Sequence, residues 1–328
     1  MSIQWPDDSI FEPFIIFEGT YKVVSSHEIK AAVLRPKTLQ PGSHLVILFI
    51  HGGFWITGHS LFAPFFPKAV LSLALKHSAI IVSPDYRLLP TENGMSDILD
   101  DLEDFWKWSR SGLPALLANK APGHVLDFSH LLLTGNSAGG YCAAQLALSH
   151  PDEVSAVGII YPALDMKDPY WYNGPAKGEP NVLRFPDEDI PRTEDALLWA
   201  EEMRKTVATK DGFDRTPFCV GLAQHGLFMS KVMDPKSTES LSLFPLDRIQ
   251  AGARLPKALW LMHGDDDATV PIRGSDKFVD LVTQKLPGTT IRYDVVKGQD
   301  HAFDVDDSTW ASFADSALEF VAAAWLSA

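Results

Sequence analysis

The stretch Gly135-Asn136-Ser137-Ala138-Gly139-Gly140 follows the pattern Gly-x-Ser-x-Gly and adds a second glycine after it. Residues 130–134, which precede it, predict a short buried strand, and the Ala- and Leu-rich residues 141–149 predict a helix. A serine on so tight a turn between strand and helix projects its hydroxyl away from the sheet, and the helix N-terminus favours negative charge beside it. Ser137 is therefore a candidate nucleophile; the alternative is a turn of small residues that lets a helix pack on a strand.

Apolar runs alternate with helical patterns along most of the chain. Strands are predicted at 45–50, 79–83, 154–161, 258–262 and 290–296, with one or two earlier strands within 21–34, and helices at 68–77, 96–109, 275–285 and 310–325. This alternation predicts an α/β protein with a mostly parallel sheet and helices on both faces. Residues 166–255 interrupt it, include a helix near 193–206, and predict a cap over the carboxyl edge of the sheet. We expect a core of residues 1–165 and 256–328, with the cap inserted between the sixth and seventh strands.

The composition argues against several classes of partner. The 328-residue chain has a formal net charge of −14 and no basic run, which argues against binding to nucleic acid or to an anionic membrane surface. It has two cysteines, Cys142 and Cys219, so no disulfide framework is implied, and Cys142 is expected to be a small buried residue. Residues 1–8 lack the pattern of a secretory signal, and the longest apolar run, 45–50, is too short to span a membrane. We therefore expect a cytoplasmic protein.

Three further segments follow predicted strands at the edge where the serine lies. His51-Gly52-Gly53-Phe54-Trp55 contains adjacent glycines, which let backbone N–H groups approach a ligand as an oxyanion hole requires, although a simple tight turn is the alternative. Residues 265–267 are three consecutive aspartates, which could orient a histidine; their spacing lacks the glycine and the distal glutamate of a calcium loop. His301 lies in the loop after the last strand, so the chain order is Ser, Asp, His.

Together these motifs resemble the hormone-sensitive-lipase-like branch of the α/β-hydrolase superfamily. The matching segments are His51-Gly52-Gly53, Asp85-Tyr86-Arg87-Leu88-Leu89-Pro90, Gly135 to Gly140, and Tyr161-Pro162-Ala163-Leu164-Asp165. The resemblance covers roughly residue 45 to the C-terminus without the cap, and it implies the α/β-hydrolase fold. The family pattern His-Gly-x-x-Asp-x-x-Val-Pro falls on residues 263–271 and implies Asp267 as the acid of a triad with Ser137 and His301. Asp165, which also ends a strand, is the rival acid.

The chain departs from the family pattern at two positions. Asn136 replaces the aspartate before the nucleophile, and Phe54 replaces the third glycine of the first motif. Backbone donation survives a change of side chain, so the resemblance still implies oxyanion N–H groups from Gly52 or Gly53 and from Ala138. The aromatic residues near the motif are candidates for the substrate pocket, although such residues more often belong to a core: Phe54, Trp55, Phe62, Phe65 and Phe66.

The resemblance implies a serine hydrolase or acyltransferase that forms an acyl-enzyme on Ser137 with an ester or thioester. No nucleotide loop, zinc spacing or flavin fingerprint is present, so we expect no cofactor and no metal. The cap resembles that of fungal hydrolases found with highly reducing polyketide synthases, such as thiohydrolases. This implies release of a polyketide chain as acid or lactone, with a chain bound to an acyl carrier protein as partner. A general carboxylesterase, an arylformamidase (from the pattern His-Gly-Gly-x-Trp) and a ligand-binding receptor are the alternatives. Such receptors typically lose the triad histidine, whereas His301 is retained.

Overall fold

The computed structural model describes residues 5–305 and 314–327. Within them, eight strands form one sheet: β1 (Phe14–Val24), β2 (His27–Pro36), β3 (Gly42–Ile50), β4 (Ile80–Pro84), β5 (His124–Asn136), β6 (Ala156–Ile160), β7 (Ala258–Gly264) and β8 (Thr290–Val296). Their order across the sheet is β1-β2-β4-β3-β5-β6-β7-β8. β2 pairs antiparallel with β1 and β4, and every other neighbouring pair is parallel. The predicted mostly parallel sheet is confirmed.

Helices cover both faces of the sheet, as predicted. The helices are α1 (Lys68–His77), α2 (Met95–Lys120), α3 (Ala138–Ser149), α4 (Tyr170–Asn173), α5 (Thr193–Met203), α6 (Thr216–Gln224), α7 (Pro245–Gln250), α8 (Arg273–Lys285) and α9 (Ala314–Leu326). Single turns of 3-10 helix lie at Asp8–Phe11, Ala63–Phe65, Val182–Arg184, Asp187–Asp189, Leu241–Leu243 and Phe303–Val305, and a π-helix at Met229–Met233. One apolar core lies between the sheet and α2, α3 and α8, and a second lies between the sheet and α1 and α9.

The long insertion lies between β6 and β7, as predicted, and contains α4 to α7. The boundaries at 165/166 and 255/256 stay a prediction. Among the described residues, none of the helices combines the length and the apolar composition needed to cross a bilayer. Residues 310–313 of the predicted last helix lie outside the described residues.

Helix α2 is 26 residues long and extends well beyond the predicted end at residue 109. Gly112 and the internal Pro114 are poor helix formers, and they suggest an end that the structure does not have. Leu113 and Leu117 are buried and continue the apolar stripe toward the core. Tertiary packing of this stripe therefore outweighs the local propensity of the sequence.

Glycines allow the turn after β5 to pack against the end of β3. A Cβ on Gly139 would lie 2.0 Å from the carbonyl oxygen of Ile50, and a Cβ on Gly135 would lie 2.3 Å from the carbonyl oxygen of Gly139. Both neighbours are backbone atoms, which cannot rotate away as a side chain can. The first turn of α3 is therefore held at backbone distance from the loop that follows β3.

We expect Gly139→Ala to lower the free energy of unfolding by about 3 kcal/mol, because the added methyl group forces α3 away from β3. Urea denaturation measures this change. Gly288→Ala is the matched control, because a Cβ at Gly288 has no atom within 4 Å, and we expect a change of about 0.5 kcal/mol or less. Equal effects of the two substitutions would contradict the close packing described above.

Candidate active site

Ser137 stands at the turn between β5 and α3 and is joined by hydrogen bonds to His301 and Asp267. Ser137 has a φ of 54° and a ψ of −122°, a conformation that L-residues rarely adopt and that raises the side chain above the sheet. Its Oγ lies 2.9 Å from Nε2 of His301, and Nδ1 of His301 lies 2.7 Å from Oδ2 of Asp267. When Nδ1–H donates to Asp267, Nε2 is free to accept the serine proton. The structure thus brings together all three residues of the predicted triad.

Asp267 is fully buried and is surrounded by donors. Its Oδ1 accepts hydrogen bonds from the backbone N–H groups of Thr269 and Val270, both at 2.8 Å, and its Oδ2 also lies 3.1 Å from Nε2 of His263. Burial alone would raise the pKa of Asp267, but His301 and His263 outweigh it and hold the pKa well below its usual range. Asp267 is therefore ionised and can orient and stabilise a protonated His301.

The structure does not bring Asp165, the rival acid, to His301. Its Oδ2 lies 2.6 Å from Nζ of Lys277 in α8, and its Oδ1 accepts a hydrogen bond from the backbone N–H of Lys167. These contacts tie the end of the segment after β6 to α8.

The loop after β3 lies against the serine turn. A Cβ on Gly52 would lie 2.9 Å from the carbonyl oxygen of Asn136 and 3.3 Å from Cβ of Ser137, and Gly53 has a φ of 101° that favours glycine. Among the described residues, none accepts a hydrogen bond from the N–H of Gly52, Gly53 or Ala138. Ala138 is the first residue of α3, so its N–H belongs to the positive end of the helix. These groups are free to receive an oxyanion.

Buried polar contacts hold this loop in place. The hydroxyl of Tyr86 donates to the carbonyl oxygen of His51 at 2.9 Å, and the two rings stack with centroids 4.2 Å apart. The next residue, Arg87, binds the fully buried carboxylate of Asp101 through Nε and Nη2 at 2.8–3.1 Å. Burial lowers the pKa of His51 to about 3, so this ring is neutral and serves the loop rather than proton transfer.

A cavity of about 390 Å³ opens beside Ser137 and His301. Seven Phe, Trp and Tyr residues contribute to its wall: Trp5, Phe54, Phe65, Phe66, Tyr161, Phe185 and Phe213. The insertion supplies two of them as well as Leu183, Thr216 and Cys219, so it contributes to the site as a cap would. Sequence reasoning missed Trp5, Phe185 and Phe213; the aromatic content of the insertion was the signal that it contacts a ligand.

Two of the candidate pocket residues do not line the cavity. Trp55 is fully buried in the core, where its indole N–H donates to Sγ of Cys142 at 3.3 Å and its ring packs edge-on against Tyr141. Phe62 packs behind the wall against Phe65 and Phe213, with ring centroids 4.9 and 5.1 Å away. The cavity wall described by the structure contains Phe54, Phe65 and Phe66 but neither of these two.

Arg184 connects the cap to both loops that carry the triad acid and base. It donates through Nε to Asp300, next to His301, and through Nη2 to Oδ2 of Asp266 at 2.7 Å. Asp300 also accepts hydrogen bonds from the backbone N–H groups of Ala268 and His301 at 2.9 and 2.7 Å. Sequence reasoning missed this clamp, because no pattern marks a single arginine in an irregular segment.

No group of three or more metal-ligating side chains occurs among residues 5–305 and 314–327. The three consecutive aspartates 265–267 turn to different partners. Asp265 pairs with Lys297, Asp266 with Arg184, and Asp267 with His301.

Comparison with known proteins agrees with this geometry. A family model described as alpha/beta hydrolase fold matches residues 47–220. The chain is 30% identical to Probable carboxylesterase M8 of Phoma sp., over 98% of this chain and 100% of that protein. It is 26% identical to Non-reducing polyketide synthase Preu6 of Preussia isomera over 92% of this chain, which matches 14% of that protein. A solved structure of fungal esterases from Rhizomucor miehei is similar with a TM-score of 0.63 and 16% identity, over 97% of this chain and 86% of that chain; it shows the fold alone.

We expect Asp267→Asn to change how stability depends on pH. A carboxyl whose pKa is lowered in the folded state stabilises the protein above its unfolded pKa of about 3.9, and this contribution is lost as the pH falls. The stability difference between wild type and variant should therefore be largest at neutral pH and should narrow below about pH 5. Urea unfolding between pH 7 and pH 3 measures it, with the exposed Asp189→Asn as control. A difference that stays constant with pH would contradict the ionised state of Asp267.

We expect Arg184→Ala to lower the rate at which a fluorophosphonate labels Ser137 by about threefold to thirtyfold. Exposed ion pairs contribute little energy singly, but this arginine fixes two loops, and a small displacement of His301 slows proton transfer. Arg192→Ala is the control, because Arg192 pairs with Glu194 and Asp195 in its own segment and contacts neither loop. Equal labelling rates for both variants would show that the clamp does not position the triad.

Proposed function

Because the chain belongs to the hormone-sensitive-lipase-like branch of the alpha/beta hydrolase fold family, we propose that it is a serine carboxylesterase that works through an acyl-enzyme on Ser137. The observation that carries the proposal is the continuous hydrogen-bonded chain from Ser137 through His301 to the buried Asp267, beside an aromatic cavity. The likeness to Probable carboxylesterase M8 over the whole chain supports an ester as the substrate.

The first half of the reaction transfers the acyl group to the serine. Ser137 Oγ attacks the ester carbonyl carbon while Nε2 of His301 takes the hydroxyl proton. The resulting tetrahedral intermediate carries its negative charge on the former carbonyl oxygen, and His301 becomes an imidazolium that Asp267 stabilises. His301 then gives its proton to the leaving alcohol as the carbon–oxygen bond breaks, so that an acyl-serine remains.

The second half releases the acyl group. A water molecule attacks the acyl-serine carbonyl and gives its proton to Nε2 of His301. The second tetrahedral intermediate collapses, and His301 returns the proton to Ser137 Oγ as the acid leaves. In both halves, backbone N–H groups of Gly52 or Gly53 and of Ala138 would hold the oxyanion, and the N-terminus of α3 adds its positive partial charge.

A second candidate substrate is a thioester-bound polyketide chain. It is favoured by the likeness to part of a non-reducing polyketide synthase, which extends over 92% of this chain. The same acyl-serine would form as the thiol leaves, and the chain would come from an acyl carrier protein. Attack by water would then release an acid, whereas attack by a hydroxyl of the same chain would release a lactone; an aromatic cavity that excludes water would favour the lactone.

We expect Ser137→Ala to abolish fluorophosphonate labelling and to lower kcat for ester hydrolysis by a factor on the order of 10⁵. Ser111→Ala, on the exposed side of α2, is the matched control.

Product analysis by mass spectrometry identifies the substrate class, with a simple aryl ester, a hydroxyacyl thioester and N-formylkynurenine as the substrates offered. Acid from the aryl ester alone supports a carboxylesterase, and acid or lactone from the thioester supports chain release. Turnover of N-formylkynurenine alone would replace the proposal with an arylformamidase, and no Ser137-dependent product would favour a ligand-binding protein.

A further inference from the structure

A second buried carboxylate lies beside the triad but outside its hydrogen-bonded chain. Asp304 is on the 3-10 turn Phe303–Val305, directly after the loop of His301, and it is 6% exposed. Its Oδ1 accepts a hydrogen bond from the hydroxyl of Tyr161 at 2.5 Å, and the ring of Tyr161 packs 4.4 Å from that of His301. Both nitrogens of His301 already face Ser137 and Asp267, so neither is left to donate to Asp304.

The carboxyl group of Asp304 receives a hydrogen bond from the hydroxyl of Tyr161 and one from its own backbone N–H. Asp304 lines the cavity, and Tyr161 is the one side chain of residues 5–305 and 314–327 that donates to it. No lysine or arginine in those residues forms an ion pair with it. Burial raises the pKa of Asp304, and the hydrogen bonds from Tyr161 and its own backbone N–H together with the nearby His301 offset this rise only in part. A carboxyl group that lines a largely apolar cavity has capacity to accept a further hydrogen bond, which a ligand in the cavity can supply.

A second acceptor on the same wall lacks a donor. Asn136 lines the cavity, its Oδ1 is buried without a hydrogen-bond partner, and its Nδ2 lies 3.5 Å from the hydroxyl of Tyr161. Asn136, Tyr161 and Asp304 thus form one connected polar wall, which we call the acceptor wall. The rest of the lining is largely aromatic, from Phe54, Phe185 and Phe213 among others.

We infer that the carboxyl group of Asp304 accepts a hydrogen bond from a hydroxyl group of the substrate, so that Asp304 selects hydroxylated aromatic acyl groups. This inference rests on the proposed ester hydrolysis at Ser137 and names its substrate class. The aromatic walls and the volume of about 390 Å³ suit a substituted ring. A hydroxyl needs one acceptor and costs far less to bury than an ammonium group, for which a single acceptor is a poor replacement for water.

Matched esters test this selection. The probes are para-nitrophenyl esters of phenylpropanoic acid with hydroxyl, methoxy or aminomethyl groups at the meta or para position of the ring. We expect wild type to hydrolyse one hydroxylated ester with a kcat/KM about tenfold above that of its methoxy counterpart, since the methoxy group cannot donate. In Asp304→Ala the preference should be lost, so that the ratio of the two kcat/KM values is about 1. In Asp304→Asn, which still offers Tyr161 an acceptor, the ratio should fall by at least threefold.

Two controls separate selection from a general loss of structure. Tyr161→Phe leaves the carboxyl group of Asp304 in place, so it should keep the preference for the hydroxylated ester even if its absolute rate falls. Asp189→Ala, on an exposed segment of the cap, should keep both rate and preference. A purely structural role of Asp304 would lower the rates of all esters by one factor and leave the ratio unchanged, and that result would overturn the inference.

The remaining outcomes are equally decisive. No preference for any hydroxylated ester in wild type, or a larger preference for the aminomethyl ester, would overturn the hydroxyl assignment.

Binding of the free phenylpropanoic acids to Ser137→Ala, measured by calorimetry, tests the acceptor wall independently of ester hydrolysis. We expect the hydroxylated acid to bind about tenfold more tightly than the methoxy acid. Absent Ser137-dependent turnover together with this binding preference would refute the proposed function and retain the acceptor wall.

Discussion

The close approach of two backbones at Gly139 is the constraint on which the site depends. A Cβ there would lie 2.0 Å from the carbonyl oxygen of Ile50, so the first turn of α3 meets the end of β3 with no side chain between them. Ser137, the proposed nucleophile, comes from one of these segments, and the loop with Gly52 and Gly53 follows the other. Oxyanion donors on the backbone cannot adjust by changing rotamer. Their distance from Ser137 Oγ is therefore fixed by how closely the two backbone segments pack.

Asp267 and His301, the proposed acid and base, lie in loops that follow the neighbouring strands β7 and β8. β7 and β8 pair in parallel, and their carboxyl ends therefore release the Asp267 loop and the His301 loop side by side. Backbone hydrogen bonds join the two loops, with the N–H of Asp266 donating to the carbonyl oxygen of Gln299 at 3.1 Å. Gly264 permits this contact, since a Cβ there would lie 2.2 Å from the same oxygen. Arg184 then ties both loops to the insertion, so the segment that lines the cavity also holds the loops of Asp267 and His301.

The parallel strands and the order of the triad could be predicted from the sequence, whereas the cavity wall could not. Buried strands are continuous apolar runs, and a nucleophile on a Gly-x-Ser-x-Gly turn has a local signature. The wall depends on the backbone conformation of single residues. Phe54 and Trp55 both have positive φ, at 54° and 59°, and this local turn sends Phe54 to the cavity and Trp55 to the core. The sequence does not predict that two adjacent aromatic residues point to different places.

Two carboxyl groups lie near His301, those of Asp267 and Asp304, and the number of hydrogen-bond donors around each explains their different pKa shifts. Asp267 receives two backbone N–H groups and two imidazoles, which outweigh its burial and keep it ionised. Asp304 receives the hydroxyl of Tyr161 and its own backbone N–H, which do not outweigh burial, so its pKa rises. A strongly paired carboxylate holds a histidine in one tautomer, whereas a poorly paired one keeps an acceptor for another molecule. The segment after β8 therefore supplies the proposed base, His301, and three residues later a carboxyl group that can accept a hydrogen bond from a ligand.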